Sequence, residues 1–295
     1  MNKKIFSRPV PALIMGAFII SFSSALVKIS HVPPSVSAFY RVFFGSLFLM
    51  GACLIKKEFK HRSLKKNFLA VVCGLLFALD LWAWHLSIQY VGPGLATILA
   101  NFQVFILSIV GFLVFKEKVG ISFVLSLPLA FFGLFLIIGM DIDQLNRNYV
   151  IGIVFGMAAA VFYSLFLLLL RQLQSNTADF SLFYYLMVLS VACSFFLGGK
   201  IYMSGGSFAV PDMITLASLF CLGFFIQFAA WVMISNVLPK VKASYAGLIL
   251  LLQPALSFVW DVLFFNRQTG IPGWMGVIIV LMAIYLGMTA TDKPS

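Results

Sequence analysis

Charge is scarce in this 295-residue sequence. Only 10% of residues are charged, and 9 acidic residues face 20 basic ones. A soluble chain of this length needs far more polar surface than that, so a water-soluble fold is excluded. Cysteine and histidine are also few. Cys53, Cys73, Cys193 and Cys221 stand far apart, with no C-x-x-C pair and no His–Cys cluster. Neither a disulfide framework nor a zinc site is indicated, and the four read as small apolar packers. No phosphate-binding loop occurs, since Gly198-Gly199-Lys200 lacks the required spacing, and there is no H-E-x-x-H motif. Polar gaps are short throughout. None can hold a nucleotide-binding domain, so ATP-driven chemistry would need a second chain, and the sequence calls for no cofactor.

What fills the chain instead is apolar sequence: 62% hydrophobic residues, with 33 Phe. Ten runs cover it, at 10–29, 37–55, 68–88, 94–115, 120–139, 150–170, 181–198, 213–235, 243–265 and 271–290. About 20 apolar residues in a helix cross the hydrocarbon core. Only helices and closed barrels satisfy their backbone there, and the alternating pattern of barrel strands is missing. The sequence therefore predicts an all-α integral membrane protein with ten transmembrane helices. Lys3 and Lys4 before an apolar run, with Ser23-Ser24-Ala25 after it, have the form of a signal peptide. The run from Val10 to Ile29 is longer than a signal core, and a first membrane span is the better reading.

Basic residues orient the bundle through the positive-inside rule. With the N-terminus inside, fifteen Lys and Arg fall on inner segments. Only Lys28, Arg147, Lys200 and Arg267 fall on the outside, and Arg41 is left within a span. Both termini are thus expected in the cytoplasm. The same rule explains the net charge of +11, so a nucleic-acid partner is not needed. The basic run from Lys56 to Lys66 reads as a topology anchor beside anionic lipid.

The chain also echoes itself. Gln89-Tyr90-Val91-Gly92-Pro93-Gly94-Leu95-Ala96 through Asn101-Phe102-Gln103 aligns with Pro239-Lys240-Val241-Lys242-Ala243-Ser244-Tyr245-Ala246 through Leu251-Leu252-Gln253. An Ala-Trp pair, Ala83-Trp84 or Ala230-Trp231, precedes each block. The predicted units are 1–145 and 146–295. Five spans in each is an odd number, so the second copy must be inverted. Inverted repeats allow two halves to exchange conformations around a site at their interface, which is the basis of alternating access.

These residues resemble a family. The ten-span plan, the paired blocks and the Phe115-Lys116-Glu117-Lys118 segment closing the fourth span look like the drug/metabolite transporter superfamily, specifically its EamA-type members. Asp80-Leu81-Trp82-Ala83-Trp84-His85-Leu86-Ser87-Ile88 is similar to a pattern found in one subgroup. The family's second half often carries Glu at the loop matching Glu117; this chain has Asn266-Arg267. The resemblance covers the whole chain. It implies a secondary transporter of a small metabolite such as an amino acid or drug-like compound, with export favoured. It points to the cell inner membrane, and to import of a nucleotide-like metabolite as the alternative. A channel or an intramembrane enzyme stands behind both.

Polar groups within spans are costly, at roughly 2.5–3.5 kcal/mol for a charge at the bilayer centre. The charged or titratable ones are Arg41, Asp80, His85 and Asp261, and the amides are Asn101, Gln103, Gln227 and Gln253. At about 1.5 Å per residue, Asp80 lies some 12 Å below the outer surface, with Asn101 and Gln103 about 10 to 14 Å deep. His85, Arg41 and Asp261 lie nearer the outside, within about 6 Å. These six converge on the outer half of the membrane, which predicts one shared polar cavity, with Gln253 a further candidate. Arg41 can pair with Asp80, meet a charged substrate or snorkel to headgroups. Asp261 can likewise snorkel. Trp84 shares a helix face with Asp80, whereas Trp82 does not. Trp84, the repeat-related Trp231 and Tyr163 can wall the pocket, with lipid-facing placement the alternative and the slightly favoured one for Trp231. Pro128 and Pro254 fall inside spans and free a carbonyl each. Gly152, Gly156 and Ala160 form a small-residue stripe for close helix packing. The expected partners are a small-molecule substrate and the lipid bilayer, with proton coupling and the choice between monomer and homodimer left open.

Overall fold

The computed structural model describes residues 9–60, 62–138, 147–175, 181–266 and 268–289. All regular structure among them is helical. Ten apolar helices cross the molecule: α1 (Pro9–Ile29), α2 (Pro34–Ile55), α3 (Leu64–Val91), α4 (Leu95–Leu113), α5 (Ile121–Ile137), α6 (Tyr149–Ser175), α7 (Tyr184–Met203), α8 (Met213–Lys240), α9 (Ala243–Phe265) and α10 (Ile271–Met288). Nine are long and apolar enough to span a membrane, with mean hydropathy between 1.7 and 2.5; α5 is shorter. The chain is a multi-pass membrane protein.

Helical hydrogen bonding continues from α3 into α4, yet the two lie side by side. A side chain built on Gly156 would touch both Ser87 and Leu99, which a straight helix would hold about 18 Å apart. The small stripe on α6 is the reason they can converge. Gly152 lets Tyr90 and Val91 approach, and Ser87 Oγ donates to the Gly152 carbonyl at 2.8 Å.

The packing has two-fold symmetry. Helix α3 packs on α6 and α7, while its counterpart α8 packs on α1 and α2. Helices α4 and α6 touch, as do α9 and α1. The pairs α2–α7, α4–α9 and α5–α10 each join a helix to its own repeat copy. Lys242, at the start of α9, donates to the Lys118 carbonyl beyond the end of α4 at 2.8 Å. The two copies therefore run in opposite directions, as the odd span count requires.

Each end of the bundle is tied differently. At one end, Asp212 caps α8 by accepting from the Thr215 amide at 2.7 Å, and its other oxygen meets His31 Nδ1 at 2.8 Å. At the opposite end two carboxylates cap helices of the second repeat. Glu58 accepts from the amides of Phe183 and Tyr184 and from the Ser181 hydroxyl, at the start of α7. Glu117 accepts from Ala243 and Ser244 at the start of α9. Negative groups are stabilised at helix N-termini by the unpaired amides and the dipole. We refer to these as the His31 end and the Glu117 end.

The His31 contact, followed by the Thr215 amide, holds the Asp212 carboxyl at about 2, below its ordinary 3.8. A depressed folded-state value means that its contribution is present above pH 3.8 and disappears as pH falls through about 2. Asp212→Asn should therefore lower the melting temperature slightly at mildly acidic pH. The difference from wild type should shrink on acidification and vanish below about pH 2. Melting curves of both proteins across that range check this; a constant offset would contradict it.

Three helices are interrupted. Helix α1 breaks at Phe22. Its freed Ser21 carbonyl accepts from Ser257 Oγ at 2.8 Å, and Ser21 Oγ accepts from Trp260 Nε1 at 2.8 Å. Helix α4 breaks at Asn101–Phe102 and α9 at Leu251, which are aligned positions in the two repeats. In α9 the cause is Pro254, which has no amide to offer the Leu250 carbonyl. In α4 it is local competition: Asn101 Nδ2 donates to the Thr97 carbonyl of its own helix at 2.8 Å. Pro128 sits inside α5 without interrupting it. Helix α8 departs in another way, adopting π-helical geometry over Leu222–Ala230.

Candidate functional site

A cavity of about 940 Å³ lies at the repeat interface. Its walls come from α1, α2, α3, α4, α5, α6, α8 and α9. Arg41, Asp80, Trp84, His85, Asn101, Gln103, Gln253 and Asp261, all singled out in the sequence, line it, whereas the amide of Gln227 does not. Asp80 and His85 are five positions apart and point about 140° apart around α3; both still reach the cavity because it wraps around that helix. Trp82 does not line it and lies under Lys200 instead, with Nζ 5.7 Å from the ring centroid.

The mouth faces the His31 end. Lys28 of α1 and Asp261 of α9 meet there at 2.8 Å, with side chains 51% and 28% exposed. Asp261 therefore neither snorkels nor joins the deep polar group; it ties the two repeats together at the rim. A pair this exposed stabilises the fold by about 1 kcal/mol at most. Lys28 stands in the last turn of α1, and the signal missed in the sequence was its opposition to the lone acid of α9.

Deeper in, Arg41 does not snorkel. Its Nε donates to Gln227 Oε1 at 3.3 Å, and its guanidinium carbon lies 5.7 Å from the Phe77 ring centroid. The ion pair anticipated with Asp80 is not formed within 4 Å among the described residues, although each lies in the other's field. Both charges therefore face one cavity without contact. Tyr163 of α6 and Gln253 of α9 line the same cavity.

The amides are placed by the helix breaks. Gln103 and Gln253 each follow a break by two residues, and repeat symmetry carries one onto the other. Gln103 Oε1, Gln253 Nε2 and Trp231 Nε1 are buried without a hydrogen-bond partner, and all three residues line the cavity. A buried polar atom left unpaired costs roughly 1–3 kcal/mol. Three in one cavity point to a ligand that completes them. Asn101 differs, because its amide is committed to Thr97.

Trp231 is not at the lipid face. It is 2% exposed and forms the floor. Its ring meets Phe77 edge-on at 5.7 Å and Phe166 at 5.0 Å, and Phe77 stacks on Phe166 at 4.6 Å. Hydrophobicity alone did not distinguish an aromatic plug from lipid contact. Beneath this floor the Glu117 end is closed, with Arg171 Nη1 3.6 Å from Glu117 Oε1.

The fold and its cavity define an inverted-repeat helical membrane protein with an interface site, the architecture of secondary transporters. The EamA-like transporter family model matches residues 8–139 and 150–289, one match for each repeat. The chain belongs to that family, part of the drug/metabolite transporter superfamily, and is a membrane transporter of that class. Twenty-nine chains of solved structure match it. One, a crystal structure titled only as that of a protein, superposes with a TM-score of 0.83 over 98% of this chain and 99% of its own, at 13% identity. That likeness concerns the fold alone. No curated protein matches.

Proposed function

We propose that this chain is a secondary transporter of the cell inner membrane that moves a small metabolite by alternating access, with export as the net direction. One observation carries the reading. A ligand-sized cavity at the pseudo-two-fold interface has the exposed Lys28–Asp261 pair at its rim and the packed rings of Trp231, Phe77 and Phe166 at its floor. In this reading the His31 end faces outward, the Glu117 end faces the cytoplasm, and the conformation described is outward-facing. The basic residues crowded toward the Glu117 end support that orientation. Exchange of conformations between the repeats would close the Lys28–Asp261 rim and open the floor.

Flux tests the proposal. Proteoliposomes should show saturable, gradient-dependent movement of a metabolite found by comparing cells with and without the protein. Ungated conductance would point to a channel, and turnover without flux to an enzyme.

Orientation is tested separately. In a cysteine-free background, Ser63→Cys should react with an impermeant thiol reagent only from the cytoplasm, and Ser207→Cys only from outside. Both positions are exposed. Thr177, which lies outside the described residues, should behave as Ser63 does. Reaction of position 207 from the cytoplasm would overturn the orientation.

A further inference from the structure

We infer that Gln227, which does not itself line the cavity, positions Arg41 as the receptor for an oxyanion group of the substrate. This rests on reading the cavity as the substrate site.

Gln227 is fully buried, at 0% exposure. Its carbonyl oxygen accepts from Arg41 Nε at 3.3 Å, and its amide nitrogen donates to Ser190 Oγ at 3.0 Å. Arg41 can only donate, so the amide oxygen must face it; Ser190 anchors the amide nitrogen, and the amide holds the inner edge of the guanidinium. With Nε engaged and a guanidinium face on Phe77, the two Nη groups remain for the cavity that Arg41 lines.

The backbone around Gln227 is unusual on both sides. It lies within the π-helical stretch Leu222–Ala230, a geometry that is rare and gathers at functional sites. Opposite it stands Gly45, where a Cβ would sit 2.3 Å from Gln227 Cγ. The Gln227 side chain occupies the space that glycine leaves. A π-helical turn and a glycine on the facing helix therefore combine to bring one buried amide against one buried guanidinium.

The donor set selects the ligand chemistry. Arg41 offers Nη donors in a planar fork suited to carboxylate, sulfonate or phosphate oxygens. Gln253 Nε2 and Trp231 Nε1 are further buried donors without partners on the same cavity. Asp80 and the unpartnered Gln103 Oε1 are acceptors on the same cavity, which suits a ligand that also carries a hydrogen-bond donor.

Two probes of one shape test this: 4-nitrobenzoate and the neutral 4-nitrobenzamide. Each quenches tryptophan fluorescence, and Trp84 and Trp231 line the cavity. Equilibrium titrations use the purified full-length chain in nanodiscs near neutral pH, with melting temperature measured in parallel. Wild type should bind the carboxylate about tenfold or more tighter than the amide, the scale of a charge-assisted hydrogen bond. Arg41→Ala should erase that preference. Gln227→Glu is isosteric and puts its own carboxylate against the guanidinium. It should erase the preference while leaving amide binding and melting temperature near wild type. Gln227→Leu and Ser190→Ala should each reduce the preference in part. A purely structural role would instead lower the melting temperature and both affinities together.

Retention of the wild-type preference in Gln227→Glu would overturn the proposal. So would absence of preference in wild type, or absence of binding by either probe. Should Gln227→Glu fail to fold, an unchanged preference in Ser190→Ala has the same force. Failure of the transport reading looks different: the preference would follow Gln227 while proteoliposomes carried no flux.

Discussion

Asp80→Asn should abolish concentrative transport while the protein is still made and folded. Asp80 is 8% exposed and is the deepest carboxyl on the cavity wall. Asp261 sits at the rim and is engaged by Lys28, whereas Asp80 has no ion-pair partner within 4 Å among the described residues. Coupling to a proton gradient requires a group that changes charge between the two orientations of the cavity. Asp80 is placed for that, because a conformational exchange would expose it first to one side and then to the other. Asparagine keeps its shape and removes its titration. Asp80→Glu keeps the titration with a displaced carboxyl and should retain part of the activity. Counterflow with equal substrate on both sides needs no proton and should survive in Asp80→Asn. The measurement is substrate accumulation across a range of external pH, for wild type and both variants. Continued accumulation by Asp80→Asn with an unchanged pH profile would remove Asp80 from the coupling role. A structural role beside Arg41 would then appear as a lower melting temperature in detergent.

Much of this site was legible because the membrane makes polar residues expensive. Seven of the eight residues marked by their polar cost line one cavity, and the eighth, Gln227, lies behind it against Arg41. Depth along a helix follows from counting residues, and five-span repeats force inversion. What counting misses is partner choice. Arg41 was expected to meet Asp80, a charged substrate or headgroups; within the protein it turns to Gln227, which the π-helical segment of α8 carries. Hydrophobic sequence carries no mark of π geometry. Trp231 was divided between pocket and lipid for a related reason. An aromatic side chain is equally at home in lipid and in a plug, and only its packing against Phe77 and Phe166 decides. The breaks in α4 and α9 were half legible. Pro254 announces the second, whereas the first depends on which carbonyl Asn101 chooses.

Glu117 illustrates how a residue marked only by resemblance acquires a physical role, and it supports the second large effect. Its carboxylate, 8% exposed, accepts from Ala243 N at 2.7 Å, from Ser244 N at 3.2 Å and from Ser244 Oγ at 2.8 Å. It therefore staples the end of α4 to the start of α9, its repeat counterpart. If the cavity opens toward this end, those two helix ends must part and the staple must break. The aligned place in the second repeat carries Asn266-Arg267, which has no carboxylate to make a matching staple at the His31 end. In the proposed transport cycle this asymmetry should favour the conformation sealed at the Glu117 end. Losing hydrogen bonds to a charged acceptor costs about 3 kcal/mol, which shifts a two-state equilibrium roughly 100-fold. Glu117→Ala should accordingly move the population toward the opposite opening. In a cysteine-free background, Ser257→Cys on the cavity wall should be labelled by an impermeant reagent from the His31 side when Glu117 is present. Adding Glu117→Ala should slow that labelling at least about tenfold and bring it up from the Glu117 side. Glu117→Gln, which can still accept one hydrogen bond, should fall between. Labelling that stays on the His31 side in Glu117→Ala, with the protein intact, would mean that the staple holds the fold together and does not set which way the cavity opens.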